Sequence, residues 1–95
     1  MSPFLALLIL DLEFPTAHSL KDKRAILRSL IAGIRKEFQV SVSEVAFQNR
    51  IRSSTLAVAL VSGSQPELRK VGEQILNHLD RHPEAELFQS SFEWR

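Results

Sequence analysis

The stretch FLALLILDLE, residues 4–13, decides the fold, because it predicts a strand that is apolar on both sides. Seven apolar residues precede Asp11, and the stretch leads into Phe14-Pro15, where a strand would end. A run of seven is too short to span a bilayer, which needs about 20 residues, and no basic leader of a signal peptide precedes it. We therefore predict a buried strand and no association with a membrane.

Capping and turn signals divide the rest of the chain into two helices and three strands. Ser19 precedes leucines and isoleucines at helical spacing, and Ser64-Gln65-Pro66-Glu67 forms a capping box. The apolar alternation of the second strand changes near Glu44, which indicates a β-bulge. The predicted strands are residues 4–13, 40–49, 55–62 and 86–94, and the predicted helices are residues 19–38 and 64–82.

The element order βαββαβ is typical of a ferredoxin-like fold. We predict a single α+β domain over residues 1–95, with a four-stranded antiparallel sheet and two helices on one face. Right-handed crossovers place the first and third strands at the centre of the sheet and the other two at its edges. The fold supports many activities and therefore predicts none.

The charge distribution is uneven although the net charge is only +1. Residues 1–52 carry eight Lys/Arg and five Asp/Glu, whereas residues 53–95 carry four and six. An anion-binding surface is therefore expected in the first half of the chain. The absence of cysteine excludes thiol catalysis and disulfides and fits a reducing compartment, so we predict a cytoplasmic protein.

Basic residues are predicted to form a ridge along the first helix, opposite its apolar stripe, and to meet the loop between the second and third strands at the end where that helix begins. Two interpretations are open: a solvated surface that keeps the protein soluble, or a surface that contacts RNA phosphates without selecting a sequence. The residues of this surface, called the basic rim, are Lys21, Arg24, Arg28, Arg35, Arg50 and Arg52.

Lys23 differs from its basic neighbours, because the helical period places it near the middle of the apolar stripe. An unpaired buried ammonium would be costly. We therefore predict a structural ion pair between Lys23 and Glu13 or Glu86 at the end of the sheet.

Both central strands are apolar on both sides, although two helices cover only one face of the sheet. The sequence does not show which face that is. A second copy of the chain is the simplest cover for the remaining face, and a small apolar ligand or another protein is the alternative. The predicted dimer or partner face consists of Leu5, Leu7, Ile9, Leu56, Val58 and Leu60.

No catalytic motif is present. The chain has no phosphate-binding loop, dinucleotide fingerprint or nucleophile elbow, and its three glycines are isolated. His78 and His82 have a spacing that can hold a metal, but the glutamate of a zinc protease motif is missing between them, and histidines at a helix end are favoured by the helix dipole alone. We predict no metal, no cofactor and no enzymatic activity.

Four stretches together resemble the YlxP-like family of small bacterial proteins of uncharacterised function: AHSLKDKR (17–24), FQVSVSEV (38–45), STLAVALVS (54–62) and FEW (92–94). The resemblance covers essentially the whole chain and implies a ferredoxin-like fold. It also implies a role near RNA or the ribosome, because members are often encoded beside translation-initiation and ribosome-maturation factors. Relatives often carry Asp-His-Gln-Asp and a tryptophan before the hairpin, where this chain has residues 46–49 as AFQN and Ile51.

The leading hypothesis is a homodimeric, non-enzymatic protein that assists ribosome maturation or RNA metabolism through the basic rim. The alternative is a ligand-sensing or protein-assembly module that uses the apolar face of the sheet.

Overall fold

The computed structural model describes residues 2–95, which contain one antiparallel sheet and two α-helices. The strand order is β2-β3-β1-β4, so β1 and β3 are central as predicted, and the ferredoxin-like βαββαβ fold is confirmed. The elements are β1 Phe4–Glu13, α1 Leu20–Phe38, β2 Ser41–Ala46, β3 Ser53–Ser62, α2 Gln65–His78, a 3₁₀ turn Leu79–Arg81 and β4 Glu86–Trp94.

Side-chain caps fix the start of both helices. The Ser19 hydroxyl accepts a hydrogen bond from the backbone N–H of Asp22 at 3.0 Å, and Ser64 accepts one from the N–H of Glu67 at 3.3 Å. Each bond satisfies one of the N–H groups that a helix start leaves without a partner. α1 ends at Phe38, because the next residue, Gln39, has a left-handed backbone (φ 52°) that stops the helix. No helix among the described residues is both long and apolar enough to cross a membrane.

Both helices pack on one face of the sheet, which we call the covered face. Leu8 and Leu10 of β1 are 2% and 0% exposed, and each directly pairs with a buried residue of β3. Because side chains alternate along a strand, the even-numbered residues of both central strands share this face. The apolar residues buried on it are Ala6, Leu8, Leu10, Leu12, Leu56, Val58 and Leu60 from β1 and β3, with Leu27, Leu30, Ile34, Leu68 and Ile75 from the helices.

The other side of the sheet, the open face, differs from the predicted partner face in its β3 residues. The register pairs Leu5 with Val61, Leu7 with Ala59 and Ile9 with Ala57. The predicted partner face is correct in placing Leu5, Leu7 and Ile9 away from the helices. It is wrong for Leu56, Val58 and Leu60, because these three residues lie beneath the helices. The open face is thus Leu5, Leu7, Ile9, Ala57, Ala59 and Val61.

The bulge predicted in β2 is confirmed, since the register with β3 shifts between Glu44 and Ala46. Before the shift Glu44 is paired with Leu56, so its side chain lies on the covered face. β2 ends at Ala46, earlier than predicted, and the next residue, Phe47, has a left-handed backbone (φ 63°). A second register shift lies between β1 and β4 at Asp11/Leu12.

Candidate nucleic-acid interface

Lys23 joins α1 to the end of β2. Its side chain is 1% exposed; Nζ donates to the carbonyl oxygen of Phe47 at 2.6 Å and lies 3.1 Å from Oε2 of Glu44. The same Oε2 accepts a hydrogen bond from the hydroxyl of Ser54 at 2.6 Å. The buried ammonium therefore has two acceptors, as a buried charge requires.

Glu44 replaces the partners that the sequence predicted for Lys23. The assignment to Glu13 or Glu86 is wrong, because these two residues pair with each other across β1 and β4 on the side away from α1. Glu44 lies two residues after the buried Val42, before the bulge, and both are paired with covered-face residues of β3. This alternation with Val42 was the sequence signal that could have identified Glu44.

A second contact fixes the loop between β2 and β3 against the segment that precedes α1. Nε of Arg52 donates to the carbonyl oxygen of Ala17 at 3.1 Å, and the N–H of Phe14 donates to the carbonyl oxygen of Arg52 at 3.0 Å. Within the loop, the Arg50 guanidinium lies 4.8 Å from the centre of the Phe47 ring. The loop and the first turn of α1 therefore form one continuous surface.

All six residues of the basic rim are exposed. Among residues 2–95, none of them has a carboxylate within ion-pair distance; the four pairs present involve other basic groups. Arg35 donates to the carbonyl oxygen of Val42 at 2.8 Å, and it is eleven residues beyond Arg24, about 16 Å along the helix axis. Arg28 and Arg35 border the same open cleft along α1 and β2, so the rim extends along the helix to Arg35.

Asp11 and Glu13 lie on the open face of the sheet, whereas Asp22 is exposed beside Lys21 in the first turn of α1. Asp11 and Glu13 border an open cleft of about 280 Å³ at one end of the open face, between the exposed rings of Phe47 and Phe88. Asp11 accepts a hydrogen bond from Thr55 at 2.7 Å. Phe47 and Phe88 could not be placed from the sequence, because their positions depend on the loop after β2 and on the register shift between β1 and β4.

Two of the three histidines are close together, and neither belongs to the rim. Nδ1 of His78 lies 2.5 Å from Oε2 of Glu37, and the rings of His78 and His82 have centroids 5.2 Å apart. Burial, followed by the proximity of His78, lowers the pKa of His82 below its ordinary value of 6.5. His18, which is exposed, precedes the cap of α1. In the described part of the chain no three His, Asp or Glu side chains are grouped as metal ligands.

The comparisons with known proteins agree on the family. The Uncharacterized protein YlxP of Bacillus subtilis is 33% identical over 78 residues, which are 82% of this chain and 85% of that protein. A solved structure from Bacillus subtilis, YxeP, a dinuclear metal-binding peptidase of the M20 family, aligns with a TM-score of 0.41 and 13% identity. That alignment covers 97% of this chain but only 25% of the peptidase, and a likeness this low carries no argument about function.

A family model described as "Protein of unknown function (DUF503)" matches residues 5–92, nearly the whole chain. The YlxP-like resemblance found in the sequence is therefore confirmed, and the chain belongs to the DUF503 family.

Proposed function

We propose that this protein contacts RNA phosphates through the basic rim and assists ribosome maturation or RNA metabolism without catalysing a reaction. The observation that carries the proposal is the surface made by Lys21, Arg24, Arg28, Arg50 and Arg52, with no carboxylate in ion-pair distance of any of the five among residues 2–95. The ribosomal context is what the resemblance to the YlxP-like family implies.

The two contacts that fix the loop support this proposal. Lys23 and Arg52 donate to the carbonyl oxygens of Phe47 and Ala17, and both bonds connect the loop to the start of α1. A fixed set of exposed cations suits the regular spacing of phosphates, and such contacts position a nucleic acid without selecting bases. The cations that remain outside ion pairs are available for this role.

Stacking of bases on the sheet does not belong to the proposal. RNA-binding sheets of related topology stack bases on aromatic side chains of the central strands. Here β3 has no aromatic residue, and Phe4 of β1 packs edge-on against Trp94 with ring centroids 6.4 Å apart. We therefore expect recognition of the phosphate backbone and weak dependence on sequence.

A titration of the protein with ribosomal RNA fragments at several salt concentrations tests the proposal. If the protein binds phosphates, the logarithm of the binding constant should fall linearly with the logarithm of the salt concentration. The reason is that the protein, on binding, releases cations that were associated with the RNA. The variant Lys21→Glu/Arg24→Glu should bind more weakly and show a shallower salt dependence, by about one unit of slope per lost contact.

The matched control is Lys36→Glu/Lys70→Glu, which changes the net charge by the same amount at two exposed lysines outside the rim. Equal losses in both variants would point to a general charge effect and contradict a specific surface. Wild-type affinity that is absent, or does not change with salt, would end the proposal.

The open face favours a second candidate function, a module for assembly whose occupant is a second copy of the chain. Leu5 is 44% and its cross-strand partner Val61 is 71% exposed, while Ala59 and Ala57, the next two β3 residues on this face, are small and leave its centre flat. Strands of 10, 6, 10 and 9 residues, about 4.8 Å apart, give a face of roughly 550 Å². Two such faces bury roughly 1,100 Å², just above the roughly 1,000 Å² that a biological interface should exceed.

Sedimentation equilibrium tests this second candidate. Ala59→Arg, in the centre of the open face, should shift the wild-type dimer towards monomer, whereas the same change at exposed Ala32 of α1 should not. A wild type that is monomeric at every concentration would refute it, and a ligand that raises the melting temperature of that monomer would favour a small-molecule site on the face.

A further inference from the structure

His78 is buried with one of its ring nitrogens unused. The side chain is 5% exposed, and its Nδ1 lies 2.5 Å from Oε2 of Glu37. Its Nε2 has no hydrogen-bond partner among the described residues. A buried polar atom without a partner is uncommon, and it calls for an explanation.

In the neutral form of the His78 ring, the Glu37 carboxylate determines which nitrogen carries the proton. An ionised carboxylate only accepts hydrogen bonds, so Nδ1 is the donor and Nε2 keeps its lone pair. The unused atom of His78 is therefore a buried nitrogen acceptor, which is the form of imidazole that binds a metal.

His82 presents a second nitrogen to the same space. The Cβ of an alanine at position 33 would lie 3.0 Å from Nε2 of His78 and 3.4 Å from Nε2 of His82. Both nitrogens thus border the space above Gly33 that only the absence of a side chain keeps open. Glycine in the middle of a helix is unfavourable, so this space has a cost in helix stability.

The paired rings have charged neighbours. The ring centroid of His78 lies 5.2 Å from that of His82. Of the charged groups that act on His82, Glu84 favours a cation nearby and Arg81 opposes one. Arg81 is itself paired with Glu37 through a contact of 3.2 Å, which reduces its effect.

We propose that His78 and His82 bind a first-row transition-metal cation that prefers imidazole, such as Zn²⁺, through their two Nε2 atoms. Imidazole nitrogen suits Zn²⁺, Cu²⁺ and Ni²⁺. Glu37 acts as a positioning residue, because a carboxylate on the far nitrogen of a ligating histidine fixes its orientation and raises its basicity. The described chain supplies two donors, and water completes the coordination.

Calorimetric titration of the metal-free protein with Zn²⁺ at pH 7.5 tests the site. The wild type should bind one equivalent, and His82→Ala should abolish that binding. His18→Ala is the matched control, because it removes the exposed histidine outside the pair and should bind as the wild type does. Glu37→Gln should retain one equivalent with an affinity about 10- to 100-fold lower.

Gly33→Ala provides a variant that leaves every proposed ligand in place. Its methyl group would enter the shared space, so Zn²⁺ binding should be lost. Thermal unfolding without metal shows whether the variant is folded, and Zn²⁺ should raise the melting temperature of the wild type and of His18→Ala only.

Binding that survives in His82→Ala, or that disappears in His18→Ala, would overturn the proposal. An imidazole nitrogen NMR spectrum of the wild type that is unchanged by Zn²⁺ would overturn it as well. Neither result depends on the RNA or dimer experiments.

Discussion

The covered and open faces of the sheet are built from the same two strands and contain residues of similar hydrophobicity, yet their surroundings are opposite. Leu10 is fully buried beneath the helices, whereas Leu5, on the other side of the same strand, is 44% exposed. Alternation along a strand decides which residues share a face, but the helices decide which face becomes the interior. One face therefore stabilises the fold, and the other is available to a partner.

Replacing one leucine on each face gives the largest expected difference. Leu10→Ala should lower the free energy of unfolding by about 2–5 kcal/mol, because it leaves a cavity in the core. Leu7→Ala, on the open face, should lower the free energy of unfolding by about 1 kcal/mol or less, measured by urea denaturation at low protein concentration. A cost for Leu7→Ala that rises with protein concentration would show that a second copy covers the open face.

The polar contact on the covered face is the next in size. Glu44→Ala removes an acceptor of the buried Lys23 ammonium and should lower the free energy of unfolding by about 2–3 kcal/mol. The double variant Lys23→Met/Glu44→Leu removes both charges, so we expect it to recover most of that loss. A double variant less stable than Glu44→Ala, measured in urea, would contradict this account of the pair.

The corresponding polar contact on the open face should contribute less. Thr55→Val removes the hydroxyl that donates to Asp11, whose carboxylate is only partly buried and can be hydrated instead. We expect a cost of about 1 kcal/mol in the free energy of unfolding. A cost equal to that of Glu44→Ala would show that Asp11 is not accessible to water, and hence that the open face is covered.

The smallest effect concerns pH and the helix side of the molecule. The lowered pKa of His82 means that the unfolded chain binds a proton at higher pH than the folded chain does. This contribution to stability is complete above about pH 6.5 and is lost as the pH falls through the folded value. Urea midpoints from pH 8 to pH 5 should therefore fall less steeply in His82→Gln than in the wild type, and parallel profiles would contradict the assignment.

The elements, the bulge and the burial of Lys23 could be predicted, because each depends on spacing within one segment. The central strands could be predicted from the element order, because crossovers are right-handed. Lys23 falls in the apolar stripe of its own helix whatever else the chain does. The strand that lies next to the Lys23 ammonium could not be predicted from the helix alone, because it depends on how β2 and β3 pair. Glu44 is paired with Leu56 on the covered face, so Glu44 and not the predicted Glu13 or Glu86 is the partner of Lys23.

The same cause explains the error in the open face. The alternation of β3 separates Leu56, Val58 and Leu60 from Ala57, Ala59 and Val61, but it does not show which set joins Leu5, Leu7 and Ile9. That choice is fixed by the pairing of Leu7 with Ala59, a contact between residues more than fifty positions apart. A shift of one residue would exchange the two sets completely. The contact of Arg52 with the carbonyl oxygen of Ala17 was hidden for a similar reason, since backbone acceptors leave no trace in the sequence.

The left-handed backbone of Phe47 affects how fast a partner binds at Arg50 and Arg52 and how much conformational entropy is lost on binding. That conformation is unfavourable for a residue with a side chain, and the hydrogen bond from Lys23 to its carbonyl oxygen holds it in place. The entropy of ordering the hairpin loop is therefore lost when the chain folds, not when a partner arrives. Loosening Phe47 should accordingly slow productive docking without changing a single charge.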